Sequence, residues 1–166
     1  MFQRIQVLRV ATSIRQRYIQ VAGPRKLYLR WTGGQAPFRV RLQRHGERSV
    51  LAERSGITGQ EVWLPAVELK PGRYRIEVAP ASGDALAEEN LVVVAASDAP
   101  RLPPELGDVG GLPQPARLLF GADYLVALGD GRWEFEALQR VAPWADKSAA
   151  ARDWLVRHAE SSGAAR

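Results

Sequence analysis

The sequence predicts a mainly β fold, in which an antiparallel sandwich of seven or eight strands is followed by a short appendage of two or three helices. Three observations predict it. Apolar and polar residues alternate with a period of two over several short segments before residue 98, which is typical of half-buried strands. Turn residues separate these segments at hairpin spacing. After a segment rich in proline and glycine, the apolar period becomes helical.

The clearest strand pattern covers residues 38–43, where Phe38, Val40 and Leu42 alternate with arginine and glutamine. Residues 27–31 and 74–78 alternate in the same way, which predicts one buried and one exposed side for each strand. Weaker patterns predict further strands at residues 5–10, 17–21, 50–52, 62–64 and 91–95. Short strands at this spacing favour an antiparallel sandwich.

A turn at Pro71 and Gly72 leads directly into a strand that carries Tyr74 on its apolar side. This arrangement resembles the turn-into-strand signature of bacterial immunoglobulin-like and fibronectin-III-like domains. Trp31, on an early strand, is similar to the core tryptophan of such domains. The resemblance covers roughly residues 15 to 97 and implies an immunoglobulin-like β-sandwich, a fold that carries many unrelated functions.

The chain divides into a sandwich at residues 1–97, a linker at 98–115 and a helical appendage at 116–166. Five of the eleven prolines lie in the linker, which predicts a stiff, extended spacer. In the appendage, Gly129 is expected to end the first helix, with Asp130 and Ser148 as N-caps of the next two. One helical hairpin cannot bury its own apolar side, so the appendage should pack on the sandwich, on a partner or on further sequence.

The segment from 119 to 143 also resembles, faintly, a helix pair of the tetratricopeptide type, through Gly121, Tyr124 and Ala137. The sequence holds no second copy of this hairpin.

The positive charge lies in the first third of the chain. Residues 1–57 hold 12 Lys/Arg and 2 Asp/Glu, residues 58–97 hold 3 and 6, and residues 98–166 hold 8 and 10, so the net charges +10, −3 and −2 give the total of +5. Alternation along the strands places Arg30, Arg39, Arg41 and Arg17 on one exposed sheet face. That face is either an ordinary solvated surface, a docking site for an acidic partner, or a surface covered by the acidic tail. The scarcity of nearby aromatic residues argues against nucleic acid.

Three of the five tryptophans, Trp133, Trp144 and Trp154, lie in the last 34 residues. Trp133 and Trp154 fall on helical apolar stripes, where they form either a small core or an interface. Trp144 follows a proline outside a helix, and Trp63 is out of phase with its apolar neighbours. These two are therefore the expected exposed aromatic residues.

No motif of a serine hydrolase, nucleotide-binding loop, dinucleotide-binding turn or zinc protease occurs in the sequence. Cysteine is absent, which excludes disulfides and thiolate sites. His45 and His158 have no acidic residues at ligand spacing. The sequence thus predicts that the protein is not an enzyme and has no catalytic residues, cofactor or metal.

No apolar run is long enough to span a membrane, and the N-terminus shows no secretory signal. The expected compartment is cytoplasmic if the chain is complete, and periplasmic or envelope-associated if it is an excised domain.

The function hypothesis is a protein–protein interaction or scaffolding module of a bacterial protein, which docks through its helical tail and an arginine-rich sheet face. The partner is expected to be a protein, acidic in character, or missing sequence of a longer protein, and the oligomeric state is left open. The alternative is a β-sandwich that binds carbohydrate or a cell-envelope polymer. A third route is an edge strand that accepts a strand of the partner. The candidate partner-binding residues are Arg30, Arg39, Arg41, Trp63, Trp144 and Trp154.

Overall fold

The computed structural model describes residues 6–7, 18–81, 87–104 and 111–161. These residues form ten strands followed by three α-helices. The strands are β1 (Gln6–Val7), β2 (Tyr18–Val21), β3 (Gly23–Arg25), β4 (Tyr28–Thr32), β5 (Phe38–Arg44), β6 (Val50–Ile57), β7 (Glu61–Trp63), β8 (Val67–Leu69), β9 (Gly72–Pro80) and β10 (Ala87–Val94). The helices are α1 (Gln114–Ala127), α2 (Glu134–Val141) and α3 (Ala149–Ser161). We call residues 18–94 the β region and residues 111–161 the helical tail; a β-rich part followed by helices was predicted.

The strands form a five-stranded sheet in the order β2-β10-β9-β5-β6, a three-stranded sheet β1-β4-β7 and the pair β3-β8. The described pairs are antiparallel except for β2 and β10, which are parallel with Tyr18 opposite Leu91 and Val21 opposite Val94. The strand prediction missed β3 and β8. Gly23 and Pro24 are typical of a turn, but here they belong to the three-residue strand β3, which pairs with β8. A short edge strand tolerates proline. Of the strand predicted at residues 5–10, the structure describes only β1.

The three sheets share one apolar core, which receives the inward side chains of β4, β5, β8, β9 and β10. Phe38, Val40 and Leu42 are fully or almost fully buried, as their alternation predicted. Trp31 is 1% exposed, and its ring meets that of Phe38 edge-on with 5.3 Å between the ring centroids. Burial of these large side chains supplies the main stabilisation of the β region.

The turn before β9 is closed by the hydroxyl of Tyr74. This hydroxyl donates a hydrogen bond to the Lys70 carbonyl at 2.8 Å and accepts one from the Lys70 N–H at 3.1 Å. Gly72, the first residue of β9, has φ +151°, and a Cβ there would lie 3.2 Å from Arg44 Nη2. The positive φ favours glycine at this position, since other residues rarely adopt it.

The helical tail forms a second core from the apolar stripes of its three helices. Its fully or almost fully buried residues include Ala122, Leu125, Ala137, Val141 and Trp154. These stripes agree with the helical periodicity of the sequence. The two cores interlock, because Phe135 of α2 belongs to the core of the β region and Tyr28 of β4 belongs to the core of the tail.

The ends of the helices differ in one place from the expected caps. As expected, α1 ends before Gly129, which has φ +61°. Ser148 caps α3, because its Oγ accepts a hydrogen bond from the Ala151 N–H at 3.3 Å. Asp130 does not cap α2, since it lies in a 3-10 turn at Gly129–Gly131 and α2 begins at Glu134. The prediction failed because this extra turn adds residues between the two helices.

Candidate functional site

The junction between the tail and the β region is built around one buried carboxylate, that of Glu136 on α2, which is 0% exposed. Its Oε2 accepts hydrogen bonds from the Val21 N–H at 3.0 Å and from the Gln20 side-chain amide. Its Oε1 accepts one from Arg140 Nε at 2.8 Å and lies 3.6 Å from Arg25 Nη2. A carboxylate is tolerated inside a protein when its charge and lone pairs are satisfied in this way.

Gln139, about one turn after Glu136 on α2, binds the backbone of β4. Its Oε1 accepts a hydrogen bond from the Tyr28 N–H at 2.7 Å, and its Nε2 donates one to the Tyr28 carbonyl at 2.8 Å. The N–H of Ile19 donates to the carbonyl of Arg132 at 2.9 Å. The tail thus satisfies backbone groups on the free edge of β2 and on part of β4, where a neighbouring strand would otherwise bind.

Sequence reasoning missed Glu136 and Gln139 because polar residues of an amphipathic helix are assigned to its solvent side. Phe135 was the residue in the sequence that could have revealed this buried side of α2. It lies opposite the apolar stripe of α2 and is 2% exposed. An aromatic residue on the polar side of a short helix indicates a second buried side, and on that side Glu136 and Gln139 contact the β region.

Arg39 and Arg41 lie on the outer face of the five-stranded sheet, next to carboxylates from neighbouring strands. Arg41 Nε lies 2.6 Å from Glu53 Oε2, and Arg39 Nη2 lies 4.0 Å from Glu77 Oε1. On β9, Arg75 pairs with a glutamate of β10 at 3.4 Å. Carboxylates from later in the sequence therefore neutralise much of the positive charge on this face.

Arg30 does not lie on that face. Its strand β4 belongs to the three-stranded sheet, whereas β5 with Arg39 and Arg41 belongs to the five-stranded sheet. The expectation of one shared arginine face is therefore wrong. Alternation indicates which side of a strand is buried, but it does not indicate which sheet the strand joins. Arg17, the fourth residue of that expected face, lies outside the described residues.

Trp63 lies near Arg30 on the outer side of the three-stranded sheet and is 37% exposed, as its phase in the sequence predicted. Its ring centroid is 5.2 Å from that of Tyr28, the residue opposite it on β4. The Tyr28 hydroxyl donates to Glu61 Oε2 at 2.7 Å, and Glu61 is opposite Arg30. We call Tyr28, Arg30, Glu61 and Trp63 the Trp63 face. It combines an exposed aromatic ring with a cation and an anion.

The two candidate tryptophans of the tail both pack on the tail core, but to different extents. Trp154 is 1% exposed, and its Nε1 donates to Asp123 Oδ1 at 2.6 Å. It forms part of the tail core and presents no surface to a partner in this arrangement. The expectation that Trp144 is exposed outside a helix is wrong, because it lies in a 3-10 turn at Ala142–Trp144 and is half-buried against the same core, with the Lys147 ammonium 5.7 Å from its ring centroid.

The two histidines lie in different environments. His45 is exposed in the turn after β5, whereas His158 stacks on Trp154 with 3.9 Å between the ring centroids. Burial lowers the pKa of His158, although Asp123 nearby opposes this shift. In the described parts of the chain, no three His, Asp or Glu side chains are grouped so that they could hold a metal ion.

A narrow apolar cavity opens between the sheets beside α2. Trp31, Phe135 and Tyr18 contribute to its lining, together with Glu89 of β10. Burial raises the pKa of Glu89 to about 7 and also raises the pKa of the Tyr18 hydroxyl. Apart from Glu89, the ionisable side chains of the described lining are Tyr18 and Arg30, and it contains neither a histidine nor a second carboxylate.

We expect the free energy of unfolding to decrease as the pH rises through the titration of Glu89. The folded state retains the proton up to about pH 7, whereas the unfolded carboxyl loses it near its ordinary pKa of 4.5. Because the folded state binds more protons between these values, its stability falls there and levels off above them. The melting temperature of the wild type minus that of Glu89→Gln should therefore decline over this range. A difference that is independent of pH would contradict the assignment.

No α-helix within the described ranges has both the length and the apolar character needed to cross a membrane. A scan against protein-family models found no match, and neither did a search of curated protein sequences.

Proposed function

We propose that the chain is a protein–protein interaction module without catalytic activity, in which an immunoglobulin-like sandwich at residues 1–97 carries the helical appendage at 116–166. The hydrogen bonds of Tyr74 support the immunoglobulin-like assignment. Its hydroxyl bonds back to the main chain four residues upstream, which is the arrangement of the tyrosine corner in such domains. The buried Trp31 on an early strand supports it as well.

The exposure of Trp63 beside Arg30 carries the proposal of protein binding. Tryptophan and arginine are the side chains that most often dominate protein interfaces. The other predicted surfaces are occupied within the chain, because Arg39 and Arg41 lie next to carboxylates and Trp154 is buried. Among the predicted binding residues, Trp63 is therefore the most exposed tryptophan, while Trp144 stays half-buried against the tail core.

The test compares Trp63→Ala with Trp144→Ala as a control whose ring is partly covered. Proteins retained by the immobilised wild-type chain are identified, one is purified, and its dissociation constant is measured by calorimetry. We expect Trp63→Ala to weaken binding by about tenfold or more, as for a central aromatic contact, and Trp144→Ala to change it little. Equal affinities of the wild type and Trp63→Ala would overturn the proposal for this face.

A carbohydrate-binding module is the second candidate, and Glu61 next to Trp63 favours it. An aromatic ring can hold the apolar face of a sugar while a neighbouring carboxylate accepts hydrogen bonds from its hydroxyl groups. Titration of the same variants with soluble cell-envelope polysaccharide, followed by tryptophan fluorescence, separates the two functions. A saturable change that Trp63→Ala abolishes would favour the carbohydrate, and no change in the wild type would exclude it.

A further inference from the structure

Exposed cations gather where the turn between β5 and β6 meets the start of β9. The N–H of His45 donates to the Arg73 carbonyl at 2.9 Å, and Arg44 Nη2 donates to the Pro71 carbonyl at 3.4 Å. These bonds hold the turn and the start of β9 together at one end of the five-stranded sheet. We call this surface the basic corner; it consists of Arg44, Arg48, Val50, Leu51, Lys70 and Arg73.

The cations of the basic corner are less neutralised than those in the middle of the sheet. Arg44 Nε lies 3.8 Å from Glu47 Oε1. Arg48, Lys70 and Arg73 are exposed, and no carboxylate of the described residues forms an ion pair with them. In contrast, Arg41 and Arg75 pair with glutamates of adjacent strands. Within the described β region, an unbalanced positive charge therefore remains at this corner.

Two aliphatic residues follow Arg48 closely in the chain, Val50 and Leu51, and each is 41% exposed at the start of β6. The register shifts at this point, because Gln43 is opposite Val50 while Leu42 is opposite Ala52. Leu51 is the extra residue of this bulge, and a bulge redirects a side chain. A second register shift lies further along β6. Bulges hinder the addition of a strand to a sheet edge, so the corner presents side chains rather than a regular backbone edge.

We propose that the basic corner binds a segment of a partner protein that carries carboxylates together with an aliphatic side chain. This inference rests on the proposed protein-binding function and adds the chemistry of the partner. Arginine forms bidentate bonds with carboxylates, while Val50 and Leu51 provide an apolar contact. Nucleic acid fits less well, because Tyr74, the aromatic residue next to Arg73, is 2% exposed and cannot stack on a base.

The probe is a fluorescein-labelled peptide of alternating glutamate and leucine, titrated with the full chain and followed by fluorescence anisotropy. The control ligands are a peptide with lysine in place of glutamate and a single-stranded oligonucleotide. We expect the glutamate–leucine peptide alone to bind. Arg48→Glu should weaken that binding about tenfold by reversing one charge. Arg101→Glu, at an exposed position outside the corner, should not change it.

The variant Leu51→Lys distinguishes a mixed contact from simple charge attraction. It removes an aliphatic side chain but adds positive charge, so we expect the affinity for the peptide to fall about tenfold. Stronger binding would show pure charge attraction and overturn the inference. Equally tight binding of the oligonucleotide, or no binding of the peptide to the folded wild type, would overturn it too. None of these outcomes affects the proposed function, which depends on Trp63→Ala and a purified partner.

Discussion

Replacing Glu136 with alanine is expected to lower the free energy of unfolding by about 1 to 3 kcal/mol, the usual cost of leaving a buried hydrogen-bond donor without its acceptor. The substitution leaves the Val21 N–H without its acceptor and removes the counter-charge of Arg25 and Arg140. Because the Glu136 side chain is 0% exposed, restoring these interactions with water would require the junction to open.

Glu53→Ala is the matched control for this prediction. Glu53 also pairs with an arginine, at 2.6 Å, but its side chain is 37% exposed. Exposed ion pairs contribute about 0 to 1 kcal/mol, so its loss should be small. Urea unfolding followed by circular dichroism gives both free energies. If the two substitutions cost the same, the buried junction is not a major source of stability.

Replacing Trp154 with alanine is expected to cost about 3 to 5 kcal/mol through the cavity left in the tail core. The change also removes the hydrogen bond from Trp154 Nε1 to Asp123. Its effect should reach the β region, because the tail supplies the carbonyl that accepts from the Ile19 N–H. Hydrogen exchange should therefore show faster exchange of the Ile19 amide as well as of α3.

Trp63→Ala serves as the control, since Trp63 is 37% exposed where Trp154 is 1% exposed. Loss of an exposed side chain should cost less than about 1 kcal/mol and leave the Ile19 amide protected. If Trp154→Ala also leaves that amide protected, the tail core and its contact with β2 are energetically independent.

The strands were predictable because local alternation reflects burial. Phe38, Val40 and Leu42 point into the core, and Arg39 and Arg41 point away from it. The apolar stripes of the helices were readable for the same reason. The strand β3 was not, since Gly23 and Pro24 favour a turn locally, and only their pairing with β8 makes them a strand. Such tertiary pairing leaves no local pattern.

The candidate site was predictable only in part, because its contacts join distant segments. The phase of Trp63 indicated its exposure, but nothing near Arg39 in sequence indicates Glu77, and nothing near Gln20 indicates Glu136. The charge excess of residues 1–57 is real in the sequence. In space, carboxylates from β9 and α2 neutralise part of it. The positive charge that remains at the surface depends on ion pairs between distant segments, and a count of charges along the chain cannot show these pairs.

The bond between the Val21 N–H and Glu136 has a consequence for biosynthesis. The two residues are 115 positions apart, so a ribosome adding about 5 to 20 residues per second needs roughly 6 to 23 s to make the second after the first. Until then, the outer edge of β2 lacks the groups that satisfy it in the finished protein. The nascent chain is therefore most prone to associate with other chains in this interval, which ends when α2 has been made and packs on β2.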